Sequence, residues 1–334
     1  MLSRVADSIY WMSRYVERAE NVARFVDVNL NLMLDSPTTD QQWQPLVNIT
    51  GDHADFTKRY GPVATSQSVL QFLTFDRENP NSIISCLRGA RENARSVREI
   101  ISSEMWLQLN TFYLMVNSAA GSGTGFASPH NFFNEVKLAS HLFTGVTDAT
   151  MTHGEAWHFC RLGRKLERAD KTSRILDVKY FILLRSVADV GTIFDDVQWV
   201  AVLHSASAFE MYRKRHGRIS PMAIVEFLLL DGEFPRAVRF CLNSARDSLH
   251  AISGTPVGTH RKHAEKLLGQ ICSDLAHANV DNIVTGGLHE YLDALQTNVN
   301  RASTGIYERF FATRVPESGQ MAKEKVQSGG TKEE

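Results

Sequence analysis

Residues 5–30 read VADSIYWMSRYVERAENVARFVDVNL, and the spacing of their apolar side chains decides the class of fold. Val5, Ile9, Met12, Val16, Ala19, Ala23, Val26 and Leu30 step alternately by four and three, which predicts one apolar stripe along a helix of about 30 residues. Proline placement extends that reading outward. The nine prolines leave 1–36, 81–128, 130–220 and 257–315 uninterrupted, and proline inside a helix removes a hydrogen bond and clashes with the preceding turn. Alternating strand patterns are scarce, so the expected fold is all-α.

The same stretch returns later in the chain. Trp11–Val28 set on Arg161–Val178 is identical at seven of eighteen positions, among them the Glu-Arg-Ala of YVERAENVAR (15–24) and KLERADKTSR (165–174). Farther on, 69–97 aligns with 224–252 at an offset of 155, matching Asp76/Asp231, Glu78/Glu233, Pro80/Pro235, Cys86/Cys241 and Arg91/Arg246. Trp43/Trp199, Arg59/Arg215 and Gly61/Gly217 match between the blocks. Order is kept while the offset drifts slightly, as changes in loop length produce. A tandem duplication is therefore expected, with halves 1–150 and 151–313 of about six helices each, a pseudo-twofold arrangement and a disordered polar tail over 314–334. Pro80 and Pro235 are expected in first helical turns, with the preceding acids near the positive helix end. AAGSGTGFASP (119–129) reads as an internal loop.

On the first Glu-Arg helix, Arg14, Glu17, Asn21 and Arg24 share a face away from the apolar stripe, with Arg18 on its flank. The second copy gives Arg164, Glu167, Lys171 and Arg174, flanked by Arg168. Eleven of the eighteen positions differ, yet these charges are retained; a freely solvated face drifts to other polar residues. The expectation is partly buried charge, with Glu17 reaching Arg168 and Glu167 reaching Arg18 across the halves. Six arginines against two glutamates also leave guanidinium forks for a carboxylate or phosphate. Arg88, Arg91, Arg95 and Arg98 form a further row, either a solvated face balanced by Glu92 and Glu99 or an anion-binding row. The aligned positions of the second half are Asn243, Arg246, His250 and Ser253.

Other chemistry is faint. The balance of 36 basic and 37 acidic residues offers no global attraction for nucleic acid or an anionic membrane. Nothing approaches the roughly 20 apolar residues that span a bilayer, and the charged N-terminus lacks the apolar segment of a signal peptide. Cys86, Cys160, Cys241 and Cys272 lie far apart and read as free thiols in a cytoplasmic protein. Glu155 and His158 form a lone ExxH without the second copy that a di-iron bundle needs. His260 and His263 read as a surface turn. No catalytic residue, metal ligand or cofactor is assigned.

LSRVADSIYWMSRYVERAENVAR, RENARSVREIISSEMWLQLN and LGRKLERADKTSRILDVKYF closely resemble the bacterial alpha-E family, whose motif falls here on Arg14, Glu17, Arg18, Arg164, Glu167 and Arg168. The resemblance covers about residues 1–313. It implies an all-helical fold and a setting beside ATP-grasp-type ligases and transglutaminase-like peptidases, in systems proposed to make or cleave amide bonds on peptides. It supplies no catalytic assignment. The leading expectation is a non-catalytic accessory protein that binds such a ligase or its peptide substrate. The alternatives are an enzyme of amide chemistry with Glu17 or Glu167 as general base, and a purely structural scaffold.

Overall fold

The computed structural model describes residues 1–35, 43–183 and 193–312. Every regular element among them is helical. The first half contains α1 (Ser3–Asp35), α2 (Gln44–Thr50), α3 (His53–Tyr60), α4 (Ser66–Thr74), α5 (Ile83–Ser96), α6 (Ser103–Ser122), α7 (Thr124–Ala127) and α8 (Pro129–Thr150). The second contains α9 (Glu155–Leu183), α10 (Ile193–Ser205), α11 (Phe209–His216), α12 (Pro221–Leu230), α13 (Val238–Ser253), α14 (His263–His277) and α15 (Val280–Phe310). Among the described residues, 1–150 and 151–312 thus hold eight and seven helices, against about six expected for each, the short helices α3, α7 and α11 making the difference. The tail expected over 314–334 lies outside the described residues.

The stripe of α1 behaves as its spacing requires: Ile9, Met12, Val16, Ala19, Ala23 and Val26 are buried, while Val5 and Leu30 pack partly exposed against the core. The two long helices α1 and α9 lie side by side at the centre. Contacts rise together along both, from Met1 with Glu155 through Arg14 with Glu167 to Glu17 with Arg168, so the helices run parallel. Helices α5 and α8 flank α1, with α6 packed between them, and α13 and α15 flank α9, with α14 between them. One continuous apolar core runs through both halves.

Two local expectations are corrected. Helices α5 and α13 start at Ile83 and Val238, not at Pro80 and Pro235, which lie in the turns before them. The Asp76 side chain instead accepts the backbone N–H of Glu78 at 2.9 Å and pairs with Arg59 at 3.0 Å, while Ser82 caps α5. Asp231 repeats this with the Glu233 N–H at 2.8 Å and with Arg215. The glycine-rich stretch 119–129 is mostly helical: α6 runs to Ser122, Gly123 turns the chain at φ 71°, and α7 follows at once. A single left-handed glycine suffices for that break.

Candidate functional site: an ionic seam between the two long helices

The polar face of α1 meets the polar face of α9, and both lose their solvent. Glu17 and Glu167 are 2% and 0% exposed. Arg168 clasps Glu17 with Nε and Nη2, each 2.7 Å from a carboxylate oxygen. Arg18 clasps Glu167 likewise, Nε at 2.7 Å and Nη2 at 3.1 Å. The two forks are the same contact made twice, at positions 150 residues apart. Arg14 adds a third donor to Glu167, its Nε at 2.8 Å, and donates Nη1 to the Tyr10 hydroxyl at 3.0 Å. Fork geometry of this kind gives the stronger charge-assisted hydrogen bonds.

One helical turn on, a second layer repeats across the halves. Glu20 pairs with Arg24, and Asp170 with Arg174 at 3.0 Å, both in i,i+4 register. Asn81 and Arg236, each immediately after a matched proline, reach in from the turns before α5 and α13. Asn81 accepts from Arg18 at 2.7 Å, while Arg236 pairs with Glu20 and lies 3.5 Å from Glu17. His141 approaches Glu20 at 3.2 Å, and Lys171 lies between Asp170 at 3.2 Å and Glu167 at 3.7 Å. Farther along, Asp27 holds His130 at 2.8 Å and Lys137 at 2.7 Å, and Asp177 holds His289 at 2.6 Å. These last pairs tie α8 to α1 and α15 to α9.

Burial penalises every charge here, and the partners outweigh it for most. Arg168 keeps Glu17 below the usual carboxylate range, assisted by Arg236. Arg236 with Arg24 holds Glu20 well below it, and Arg18 with Arg14 and Lys171 does the same for Glu167. Despite burial, the facing carboxylates hold Arg18 and Arg168 above the ordinary guanidinium value, as Tyr10 and Glu167 do for Arg14. Arg24 is the exception. Burial, with Arg236 nearby, lowers it in spite of Glu20, and its Nε is buried without an acceptor.

Eight of the singled-out residues therefore converge. Arg14, Glu17, Arg18, Arg24, Glu167, Arg168 and Arg174 lie in the seam, and Arg164 stands at its edge, 3.6 Å from Asp148. The count of six arginines against two glutamates is corrected: Glu17, Glu20, Glu167 and Asp170 face Arg14, Arg18, Arg24, Arg168, Lys171, Arg174 and Arg236, seven cations against four carboxylates. Cations still exceed anions, but the forks of Arg18 and Arg168 are occupied. Glu20 and Asp170 were legible as acids at one aligned position; nothing in the sequence marked Arg236 as entering the centre. None of the row enters the seam: Arg88 and Arg95 are exposed on α5, Arg91 is half-buried against α6 with its Nε 2.7 Å from Asn110, and Arg98 lies beyond the last turn of α5.

A cavity of about 10 Å³, room for one water, borders the seam and is lined by Ser13, Glu17, Thr144 and Arg164, among others. Among the described residues no three His, Cys, Asp or Glu side chains gather in a way that could hold a metal ion. Of the ExxH pair, Glu155 receives the N-terminal ammonium at 3.0 Å, and burial lowers the pKa of His158. All four cysteines are free and buried, and no described helix is long and apolar enough to cross a membrane.

Comparison with known proteins places this architecture. Among curated proteins, an uncharacterized protein of Mycobacterium bovis and two of Mycobacterium tuberculosis are each 24% identical to the chain over 346 aligned positions. The alignments take in 95% of this chain but only 37% of each relative, so the chain spans little more than a third of their length. No solved structure matches significantly. Residues 1–311 match the model of Alpha-E, described as a predicted alpha-helical domain with a conserved ER motif, and the paired Glu-Arg steps at 17–18 and 167–168 are where this chain carries such a motif. The chain belongs to the Alpha-E family.

Proposed function

We propose that the chain is a non-catalytic helical accessory protein of a peptide amide-bond system, working with an ATP-grasp-type ligase or a transglutaminase-like protein, in which the Glu-Arg seam is a structural lock. The observation that carries the non-catalytic part is the state of Glu17 and Glu167. A general base works best with a pKa near the working pH, whereas both carboxylates are buried, clasped by guanidinium groups and held low. The partner class rests on the family resemblance. The greater length of the relatives suits a module that acts together with other protein parts.

A second reading concerns Arg24. A buried guanidinium nitrogen without an acceptor, in a cluster with more cations than carboxylates, favours an anionic end group such as a carboxylate or phosphate at that edge. Purification of the tagged chain from its own cells, with identification of what accompanies it, tests the accessory role. The expected companion is an amide-forming or amide-cleaving protein, and the isolated chain is expected to show no turnover. Amide chemistry by the chain alone, lost in a folded Glu17→Gln variant, would replace this reading with the enzymatic one.

A further inference from the structure

Outside the seam, one surface departs from what its apolar content leads one to expect. Leu107 and Leu114 on α6 are 64% and 50% exposed, and Leu138 and Leu142 on α8 are 57% and 54% exposed. Seven residues separate the first pair and four the second, so each pair forms a ridge on its own helix. Gln108 donates to the Ala139 carbonyl at 3.2 Å and brings the two helices together there. Two leucine ridges on adjacent helices form an exposed apolar face of the kind that accepts a third helix. The α14–α15 pair of the second half has no such face. The outward side of α14 is polar, with Lys266, Gln270 and Asp274 exposed, and the large apolar side chains exposed on α15 are Val284 and Tyr307.

The arginine row borders this face. Arg91 lies over the Trp106 and Tyr113 rings at 5.7 and 5.2 Å, and Arg98 over Trp106 at 5.0 Å. Trp106 and Tyr113 immediately precede Leu107 and Leu114, about 100° around α6. Along that edge Arg91 and Arg95 share Glu92 at 3.1 and 3.3 Å. Arg77, Arg88 and Arg98 are exposed, with no described carboxylate in ion-pairing range. Arg77, Arg88, Arg91, Arg95 and Arg98 outnumber Glu92 and Glu99 along that edge, so it carries net positive charge beside exposed leucine, which matches one kind of occupant.

We infer that the α5–α6–α8 face docks an amphipathic helix of a partner protein, its apolar stripe seated between the leucine ridges and its acidic flank along the arginines of α5. This inference rests on the accessory reading and adds the surface and the chemistry of the partner. The test places a photo-crosslinking amino acid at Leu114 of the full chain in its own cells and sequences the captured peptide. The expected adduct is a helical-pattern segment of another protein with Asp and Glu on one flank. Its yield should fall about ten-fold with Arg95→Glu plus Arg98→Glu, and similarly with Leu138→Glu, circular dichroism being unchanged. An adduct within this chain's own sequence would assign the face to a second copy. A neutral or basic peptide, lipid alone, or no adduct from a folded protein would also overturn the inference. If the captured segment is acidic but belongs to a protein without amide chemistry, the docking face stands and the proposed partner class falls.

Discussion

Lys165 shows at the level of one residue how the two halves differ. It aligns with Tyr15, which packs against Gly89, but it carries its Nζ 4.5 Å from the centre of the Phe240 ring. No described carboxylate pairs with it. Burial, with Arg168 and Arg164 close by, brings its pKa down to about 8. An unfolded lysine titrates near 10.4. Below pH 8 both states are protonated and the cost of burying the charge is full. Between about 8 and 10.4 the unfolded state holds the extra proton, so stability rises with pH, by at most about 1.4 kcal/mol per unit. Lys165→Met should therefore raise the urea midpoint at pH 7, and the advantage should shrink towards pH 10. A variant no more stable at pH 7 would mean that the ring and local dipoles already compensate the charge.

At the scale of the element, the seam depends on how closely α1 and α9 approach. A Cβ at Gly163 would stand 2.5 Å from the Tyr10 carbonyl oxygen and 3.2 Å from Cγ of Arg14. The missing side chain is what lets the backbones cross near enough for arginine to reach glutamate. Gly163→Ala should cost about 1–3 kcal/mol by overpacking, even though alanine favours helix. Gly145, exposed on α8 with nothing within 4 Å of its would-be Cβ, is the control, and Gly145→Ala should be neutral or stabilising by up to about 1 kcal/mol. Chemical denaturation of the two variants checks this contrast. The long helices were legible because their periodicity runs for many turns, whereas the starts of α5 and α13 were misplaced. Proline at a first turn and proline in the preceding turn leave similar traces in a sequence, and the choice fell to where Asp76 and Asp231 found backbone donors and arginines.

For the whole molecule, the seam joins the halves by charges that have left water. Removing one partner of such a pair strands the other, at about 3–5 kcal/mol. Glu17→Gln and Arg168→Met should each destabilise, and the double variant should fall short of their sum by about 1–3 kcal/mol. Full recovery in a charge-swapped pair is not expected, since an arginine at 17 would meet Arg236, now 3.5 Å from the Glu17 carboxylate. Additive losses in the cycle would show that no direct coupling exists. Acid should act on the same seam. The depressed carboxylates Glu17, Glu20, Glu167 and Asp170 contribute fully above the unfolded carboxylate range near 4 and lose their contribution as pH falls through the lower folded values. Glu167→Gln should lower stability at pH 7 and flatten the remaining acid dependence, as measured by thermal unfolding from pH 7 to pH 3.

The sequence by itself determined the helical class, the two long central helices and the charged residues that recur in both halves. Each of these is written in local spacing or in an alignment of the chain with itself. It also suggested the reciprocal pairing of Glu17 with Arg168 and Glu167 with Arg18, because the Glu-Arg step recurs at aligned positions and the contacts themselves are present. Only the tertiary structure decided that Arg236 enters the seam, that Glu20 and Asp170 answer Arg24 and Arg174, and that the arginines of α5 lie outside beside exposed leucines. Those facts depend on which faces meet once α5, α8 and α13 have packed, and the free energy of a charge depends on what stands around it in space rather than on its neighbours along the chain.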